Sequence, residues 1–417
     1  MQRDLRRAEG CGPLSPAQSN HDLMVGGHLL VHVSGHDQPG VTAALMGHLA
    51  EAGAEVVDVE LITVRGRLHL SVLIEVADQR PLISQLLLMA WERGMHIEFE
   101  PVDPASHATR KAPCYAVTVL GNPIASDAMA AVTAAIADHG ANIERITCLA
   151  RFPVTAYELV ISTDDIGPIR EQLVAASRTL HFDVAVQPDG LRRRAMRLVA
   201  LDVDSTLIQD EVIELLADEA GCREEVARIT AAAMAGELDF EEALRARVAL
   251  LAGLDVAVLE RARQRLRFTP GARTFVRTLK RLGFRTMIVS GGFTHFTDAL
   301  KEELGLDHAF ANQLEIVEGK LTGELVGAIV DRRRKAEILT EVAVAEGIEL
   351  HQTVAIGDGA NDLEMLARAG LGIAFNAKPV VADAADTALN VPFLDAALFV
   401  LGIRRDDVEA ADAAHTP

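Results

Sequence analysis

Apolar positions recur along this chain in two rhythms, and the change between them falls near residue 197. Residues 29–34 predict a strand, which Gly35-His36-Asp37-Gln38-Pro39-Gly40 breaks with two glycines and a proline. Residues 41–52 carry helical spacing and stop at Gly53. Residues 56–64 and 68–76 are rich in β-branched side chains and meet at Arg65-Gly66-Arg67, a hairpin signal. A second helix is predicted over 82–93, stopping at Gly94, and a last strand over 96–100.

This βαββαβ order is that of a ferredoxin-like sandwich, and it returns. Strands over 115–120, 143–152, 156–162 and 182–186, with helices over 126–139 and 166–177, repeat it. Gly53-Ala54-Glu55-Val56 and Gly140-Ala141-Asn142-Ile143 align at a spacing of 87 residues. The polar, proline-flanked segment 103–113 separates the two units, placing domains at 28–102 and 114–188. Residues 1–27 mix Gly, Pro, Ser and charge without a period and predict a disordered lead. Residues 189–197, with Arg192-Arg193-Arg194, read as a solvated linker.

Beyond it the rhythm becomes strand, helix, strand. Short continuous apolar runs at 197–201, 285–289, 353–356 and 371–374 suit parallel strands covered on both faces. Helices such as 272–282 and 334–346 fall between them. A doubly wound parallel α/β sheet follows over 197–403, with ligands expected beyond the carboxyl ends of its strands. Residues 404–417 read as a tail. The connection 209–269 far exceeds an ordinary strand-to-helix loop of ~2–6 residues. A helical cap inserted at about 210–269 accounts for it, although a larger helical layer would read alike.

Composition narrows the function. The 417 residues suggest two or three domains, and 49% hydrophobic residues supply more than one core. A net charge of −20 argues against nucleic acid or an anionic membrane as partner. Cys11, Cys114, Cys148 and Cys222 are scattered without a C-x-x-C pair, which fits reduced, mostly buried thiols of a cytoplasmic protein. No apolar run reaches the ~18 residues of a membrane helix. Arg3, Arg6 and Arg7 precede no apolar signal core, which argues against secretion.

The candidate chemistry sits at strand ends. The run Val199-Ala200-Leu201-Asp202-Val203-Asp204-Ser205-Thr206 is a short apolar strand leading into two carboxylates, which i, i+2 spacing in extended backbone puts on one face. Ser205-Thr206 suits a turn or helix start that attracts an anion. Alone, the spacing fits a solvated Asp-Ser turn equally well. Ser290-Gly291-Gly292 adds a hydroxyl and backbone N–H groups, Lys335 an amine, and Gly357-Asp358-Gly359-Ala360-Asn361-Asp362 two more carboxylates in a glycine-bearing loop. A carboxylate approaching a phosphate is repelled by about 4 kcal/mol per unit pair at 4 Å and an effective dielectric of 20. Such a site needs cations. Asp202, Asp204 and Asp358 are hard oxygen donors suited to Mg²⁺, and a charge-balanced carboxylate can act as nucleophile.

The segment 28–188 resembles a pair of ACT domains, small βαββαβ modules that bind amino acids and regulate metabolic enzymes. Asp37, Pro39 and Gly40 lie in the stretch similar to the ACT ligand loop, and the resemblance implies L-serine as regulatory ligand and a homodimer. The second unit offers Gly121-Asn122-Pro123-Ile124 at that place, a departure from the pattern. A ferredoxin-like scaffold that binds nothing fits the same elements.

The four motifs carried by Asp202-Val203-Asp204-Ser205-Thr206, Ser290-Gly291-Gly292, Lys335 and 357–362 resemble those of the haloacid dehalogenase (HAD) superfamily. Glu211, the helix Phe240-Glu241-Glu242-Ala243-Leu244-Arg245-Ala246-Arg247-Val248, Phe310-Ala311-Asn312 and Lys320-Leu321-Thr322-Gly323 are similar to its phosphoserine phosphatases. The resemblance implies Asp202 as nucleophile and Mg²⁺ ligand. It implies Asp204 as general acid and base and as metal ligand through its backbone carbonyl, Asp358 as metal ligand, and Asp362 as support behind the metal. Ser290, Gly291, Lys335 and Asn361 would hold the phosphate of O-phosphoserine, Glu211 its ammonium and Arg247 its carboxylate, with Met234 and Phe240 lining the cap. An acid and an arginine suit a zwitterionic α-carbon on chemical grounds alone. A phosphatase or phosphotransferase for another phosphomonoester, or a non-catalytic amino-acid sensor, would keep much of this pattern.

Overall fold

The computed structural model describes residues 27–102, 112–234 and 237–414. The lead expected over 1–27 lies outside the described residues except for Gly27, and so does most of the expected linker. The chain divides into two units, 1–111 and 112–417.

The first unit runs β1(Gly27–His36), α1(Val41–Glu51), β2(Glu55–Val64), β3(Arg67–Val76), α2(Gln79–Glu92) and β4(His96–Val102). Its antiparallel sheet has the order β2-β3-β1-β4. Alternation puts Leu29, Val31 and Val33 on the covered face, where they pack with Val41, Leu45 and Leu49 of α1. Strand β2 is the edge and is exposed along its whole length, Val57, Val59, Leu61 and Ile62 included.

The second unit opens with the repeat, β5(Cys114–Gly121), α3(Ser126–Asp138), β6(Asn142–Ala150), β7(Thr155–Ser162), α4(Gly167–Leu180) and β8(Asp183–Pro188). A short α5(Leu191–Arg194) leads to β9(Leu198–Leu201). Four helices follow, α6(Val212–Ala220), α7(Arg223–Met234), α8(Phe240–Ala249) and α9(Ala257–Arg263). The layer then resumes with α10(Ala272–Arg281), β10(Arg285–Phe293), α11(Thr294–Leu304), β11(His308–Val317) and β12(Lys320–Val326). It closes with α12(Arg332–Ala345), β13(Thr353–Gly357), α13(Leu363–Arg368), β14(Leu371–Phe375), α14(Pro379–Ala382), β15(Thr387–Leu389), α15(Ala397–Val400) and α16(Arg405–Ala413).

Six strands in the order β11-β10-β9-β13-β14-β15 are parallel around the central β9, with β12 antiparallel at the outer edge. Strand β9 is covered on both faces. Val199 and Leu201 join one apolar cluster, and Leu198 and Ala200 join another that includes Ile338 and Leu339 of α12. Asp202 continues the parity of Leu198 and Ala200 toward the α12 side.

Three expectations change here. Residues 189–197 are no solvated linker, because β8 pairs antiparallel with β15 and one eleven-stranded sheet runs through the repeat and the α/β layer. Asp183 accepts from the backbone of Asn390 and Val391 across that seam at 2.7 and 3.2 Å. Arg193 is buried, 2.6 Å from Glu158, with a guanidinium nitrogen on the Val400 carbonyl at 3.2 Å. The expected tail contains α16, docked through buried Val408 and through the ion pair of Asp412 with Arg277, because its apolar residue needs cover. Cys114, Cys148 and Cys222 are free thiols but only half-buried, since each sits where an element meets solvent. Among the described residues no helix is long and apolar enough to cross a membrane.

Candidate active site

The residues 203–207 form a tight loop, with no helix starting there. Asp204 is extended, and Ser205 takes a left-handed conformation at φ 56°, uncommon for a residue with a Cβ. Asp202 stays registered on the sheet because its N–H donates to Ile356 of β13 at 2.9 Å. The loop thereby brings both acids to the carboxyl edge of the central strand.

Neighbouring strands deliver the rest. Strand β10 runs on through Ser290 to Phe293, and α11 starts at Thr294. Ser290 Oγ lies 3.4 Å from the Asp204 carboxylate, as a donor to it, and accepts from the Gly292 N–H at 2.8 Å. Lys335 sits in the first turn of α12, whose N-cap Asp331 accepts from the Arg334 N–H. Its ammonium donates to Asp202 at 2.6 Å and to Asp362 at 2.7 Å. Asp202, Asp358 and Asp362 each bring a carboxylate oxygen within 4.8 Å of the others. Asp362 also accepts from the Gly359 N–H at 3.0 Å, which folds the loop back on itself.

Charge crowding tunes these groups. Burial raises the Asp202 carboxyl well above its usual range, Asp362 adds to this, and Lys335 opposes both. Asp204 is pushed up to about 7 by burial and by the Glu211 charge, against the Val212 N–H that donates to it. Asp358 is pushed up to about 6, again by burial first and then by Asp362. Burial acts to lower Lys335, but Asp202 and Asp362 more than offset it and keep the ammonium charged. The raised Asp202 and Asp358 carboxyls, each crowded by the Asp362 charge, are what a divalent cation relieves. The donor set, all oxygen, fits a hard ion.

Helices α6 to α9 cover this edge. Phe240 begins α8, behind a capping box of Asp239 and Glu242, and its ring reaches Gly291 so closely that a Cβ there would lie 3.1 Å from it. Glu211 precedes α6 and accepts from the Ser205 hydroxyl at 2.8 Å. Burial raises the Glu211 carboxyl, while Ser205 and Arg247 pull it down. Burial lowers Arg247, and the charges of Glu211 and Asp204 act on it in the opposite sense. Asn361 shares the loop of Asp358, with its side-chain oxygen against Gly359. Met234 ends α7, and its side chain lies outside the described residues. Asp37, Pro39 and Gly40 belong to the first unit, in an exposed turn where Gly40 has φ 90° and Gln38 donates to the Arg93 carbonyl at 2.9 Å.

Sequence reasoning did not foresee two supporting contacts. Asn312 donates to the Gly291 carbonyl and accepts from the Val330 N–H, both at 2.8 Å, and so fixes the Ser290-Gly291 turn. Thr206 donates to Asp358 at 3.2 Å.

Family models match in the same places. A haloacid dehalogenase-like hydrolase model covers residues 199–367, and ACT domain models cover 27–100 and 114–187. A phosphoserine phosphatase of Streptomyces coelicolor is 54% identical over 92% of this chain and 94% of its own length. The chain belongs to the phosphoserine phosphatase family. Within that family, phosphoserine phosphatase SerB2 of Mycobacterium tuberculosis is 47% identical over 92% of this chain and 95% of its own. Among solved structures, a HAD family hydrolase from Salmonella enterica serovar Typhi covers 69% of this chain and 98% of its own, at 30% identity and TM-score 0.62. A probable phosphoserine phosphatase from Vibrio cholerae covers 69% of this chain and 86% of its own, at 36% identity and TM-score 0.56. The family's HAD and ACT modules are thus both present in one chain, as the motifs imply.

Proposed function

We propose that this chain hydrolyses O-phospho-L-serine to L-serine and phosphate with Mg²⁺, the last step of serine biosynthesis. The observation that carries the reading is a buried acid cluster clamped by Lys335, with Glu211 on the neighbouring Ser205 hydroxyl and the charge of Arg247 acting on Glu211 and Asp204. An anion-binding floor and an acid–base pair match the two ends of the substrate.

Asp202 attacks phosphorus, and the bond from phosphorus to the serine oxygen breaks. Asp204, protonated near neutral pH, gives that oxygen its proton and L-serine leaves. Asp204 then takes a proton from water, whose oxygen attacks phosphorus. The Asp202–phosphorus bond breaks and inorganic phosphate leaves. Ser290, Gly291, Asn361 and Lys335 hold the phosphoryl oxygens through both steps. Asp202, Asp358 and the Asp204 carbonyl would hold Mg²⁺, with Asp362 behind them. When bound, the cation offsets the charge between nucleophile and phosphate. Phe240, and Met234 with it, would exclude water from the pocket.

L-serine is the proposed regulatory ligand, at Asp37, Pro39 and Gly40. The first N–H groups of α1 carry no side-chain cap there, which suits a carboxylate. The exposure of Val57, Val59, Leu61 and Ile62 along the edge strand β2 supports a homodimer, since such edges are ordinarily covered.

The test is phosphate release from O-phospho-L-serine, from O-phospho-L-threonine and from glycerol phosphate, with Mg²⁺ and after EDTA. Phosphoserine preferred at least tenfold, with Mg²⁺ required, is the expected result. Equal rates on all three substrates, or undiminished turnover by Asp202→Asn, would sink the reading.

A further inference from the structure

The cap leaves and rejoins the α/β layer by two strands of chain that touch each other. Ile208 and Phe268 form an antiparallel bridge. The Gln209 N–H donates to the Arg267 carbonyl at 2.9 Å and the Gln209 amide to the Phe268 carbonyl at 2.8 Å. Arg267 closes the outer side, with its backbone N–H on Asp210 at 2.8 Å and its guanidinium on the same carboxylate at 2.6 Å.

The next residue inward is Thr269, which is buried and faces the loop of the two acids. Its N–H donates to the Leu207 carbonyl at 3.0 Å and its hydroxyl to the Thr206 carbonyl at 2.7 Å. The loop has no helix or strand of its own to satisfy these consecutive carbonyls, and buried carbonyls need partners. Thr206, thus held, aims its own hydroxyl at Asp358. Thr269 is itself held, because its carbonyl accepts from Ala272 at 3.0 Å and that of Pro270 from Leu394 at 2.8 Å.

We infer that Thr269 is a positioning residue, which fixes the Thr206 backbone and through it the direction of the Asp358 carboxylate, tying the cap's return strand to the cation site. The inference rests on the phosphatase reading above. Without the hydroxyl, the Thr206 carbonyl lacks a donor, the loop around left-handed Ser205 relaxes, and Asp358 turns. Loss of such an outer support ordinarily lowers metal affinity or turnover about 10–100-fold.

The experiment compares Thr269→Val, which keeps the shape and removes the hydroxyl, with Thr269→Ser, which restores it. Binding of Mn²⁺ is read by calorimetry without substrate, and kcat and KM for phosphoserine are read alongside. The expected result is Mn²⁺ affinity and kcat each lower by about tenfold or more in Thr269→Val, KM within about threefold, and Thr269→Ser near wild type. Two results would overturn it. One is wild-type Mn²⁺ affinity in Thr269→Val, and the other is Thr269→Ser as impaired as Thr269→Val. Calorimetry reads the metal site whatever the substrate, so a failure of the phosphoserine reading would show separately, as an inactive wild type that still binds Mn²⁺.

Discussion

The ammonium of Lys335 donates to Asp202 at 2.6 Å with both side chains closed off from solvent. Replacing Lys335 by Met strands the Asp202 and Asp362 charges. The expected loss in kcat/KM is at least about 100-fold. Stability should fall by about 3–5 kcal/mol where the acids are ionised. The sign with pH follows from the raised folded-state pKa of Asp202. A proton held more tightly in the folded state stabilises at low pH and is lost as pH rises. Urea unfolding of Lys335→Met should therefore show a larger deficit at pH 8 than at pH 5.5.

Asp204 sits at about 7, raised by burial and then by Glu211. As the proposed acid it must carry a proton, so kcat/KM for phosphoserine should decline as pH rises through its pKa. Glu211→Gln removes the like charge, lowers that pKa and moves the decline to lower pH. An aryl phosphate, whose leaving group departs unprotonated, should show little of either effect. Rate profiles over pH 5–9 for both substrates check this.

Arg247 is proposed to hold the substrate carboxylate. For Arg247→Ala the expected change is a rise of about tenfold or more in KM for phosphoserine, with under threefold change for p-nitrophenyl phosphate. Steady-state kinetics on the two substrates separate the cases. Equal losses on both would remove Arg247 from that role.

Glu158 of β7 and Arg193 of α5 form a buried pair 2.6 Å apart. Arg193→Met alone leaves a buried carboxylate without its partner and should cost about 3–5 kcal/mol in unfolding free energy. The double variant Glu158→Leu with Arg193→Met should recover most of it. Denaturant titrations of the three proteins check the prediction.

Sequence carried the acid cluster because three of its motifs are dense runs at strand ends, which parallel strands deliver to one edge, and the fourth opens a helix beside them. Thus Asp202, Ser290, Lys335 and Asp358 were legible before any coordinate. The seam was not. Strand β15 has three residues, too few for a period, and its partner β8 lies some two hundred residues earlier. Arg193 resembled surface because Arg192 and Arg194 flank it. Its partner was hinted at by Glu158, an acid between Tyr157 and Leu159 in a buried strand. Asn312 and Thr269 answer backbone carbonyls, which leave no trace in side-chain pattern.

The β8–β15 pairing decides where this chain can be trimmed. A cut near residue 190 would bare the flank of β15, leave the Asn390 and Val391 amides searching for an acceptor, and offer a sticky rim to other molecules. A cut near residue 111 passes between two intact apolar interiors. A fragment cut there keeps the second βαββαβ module as the side wall of the α/β layer.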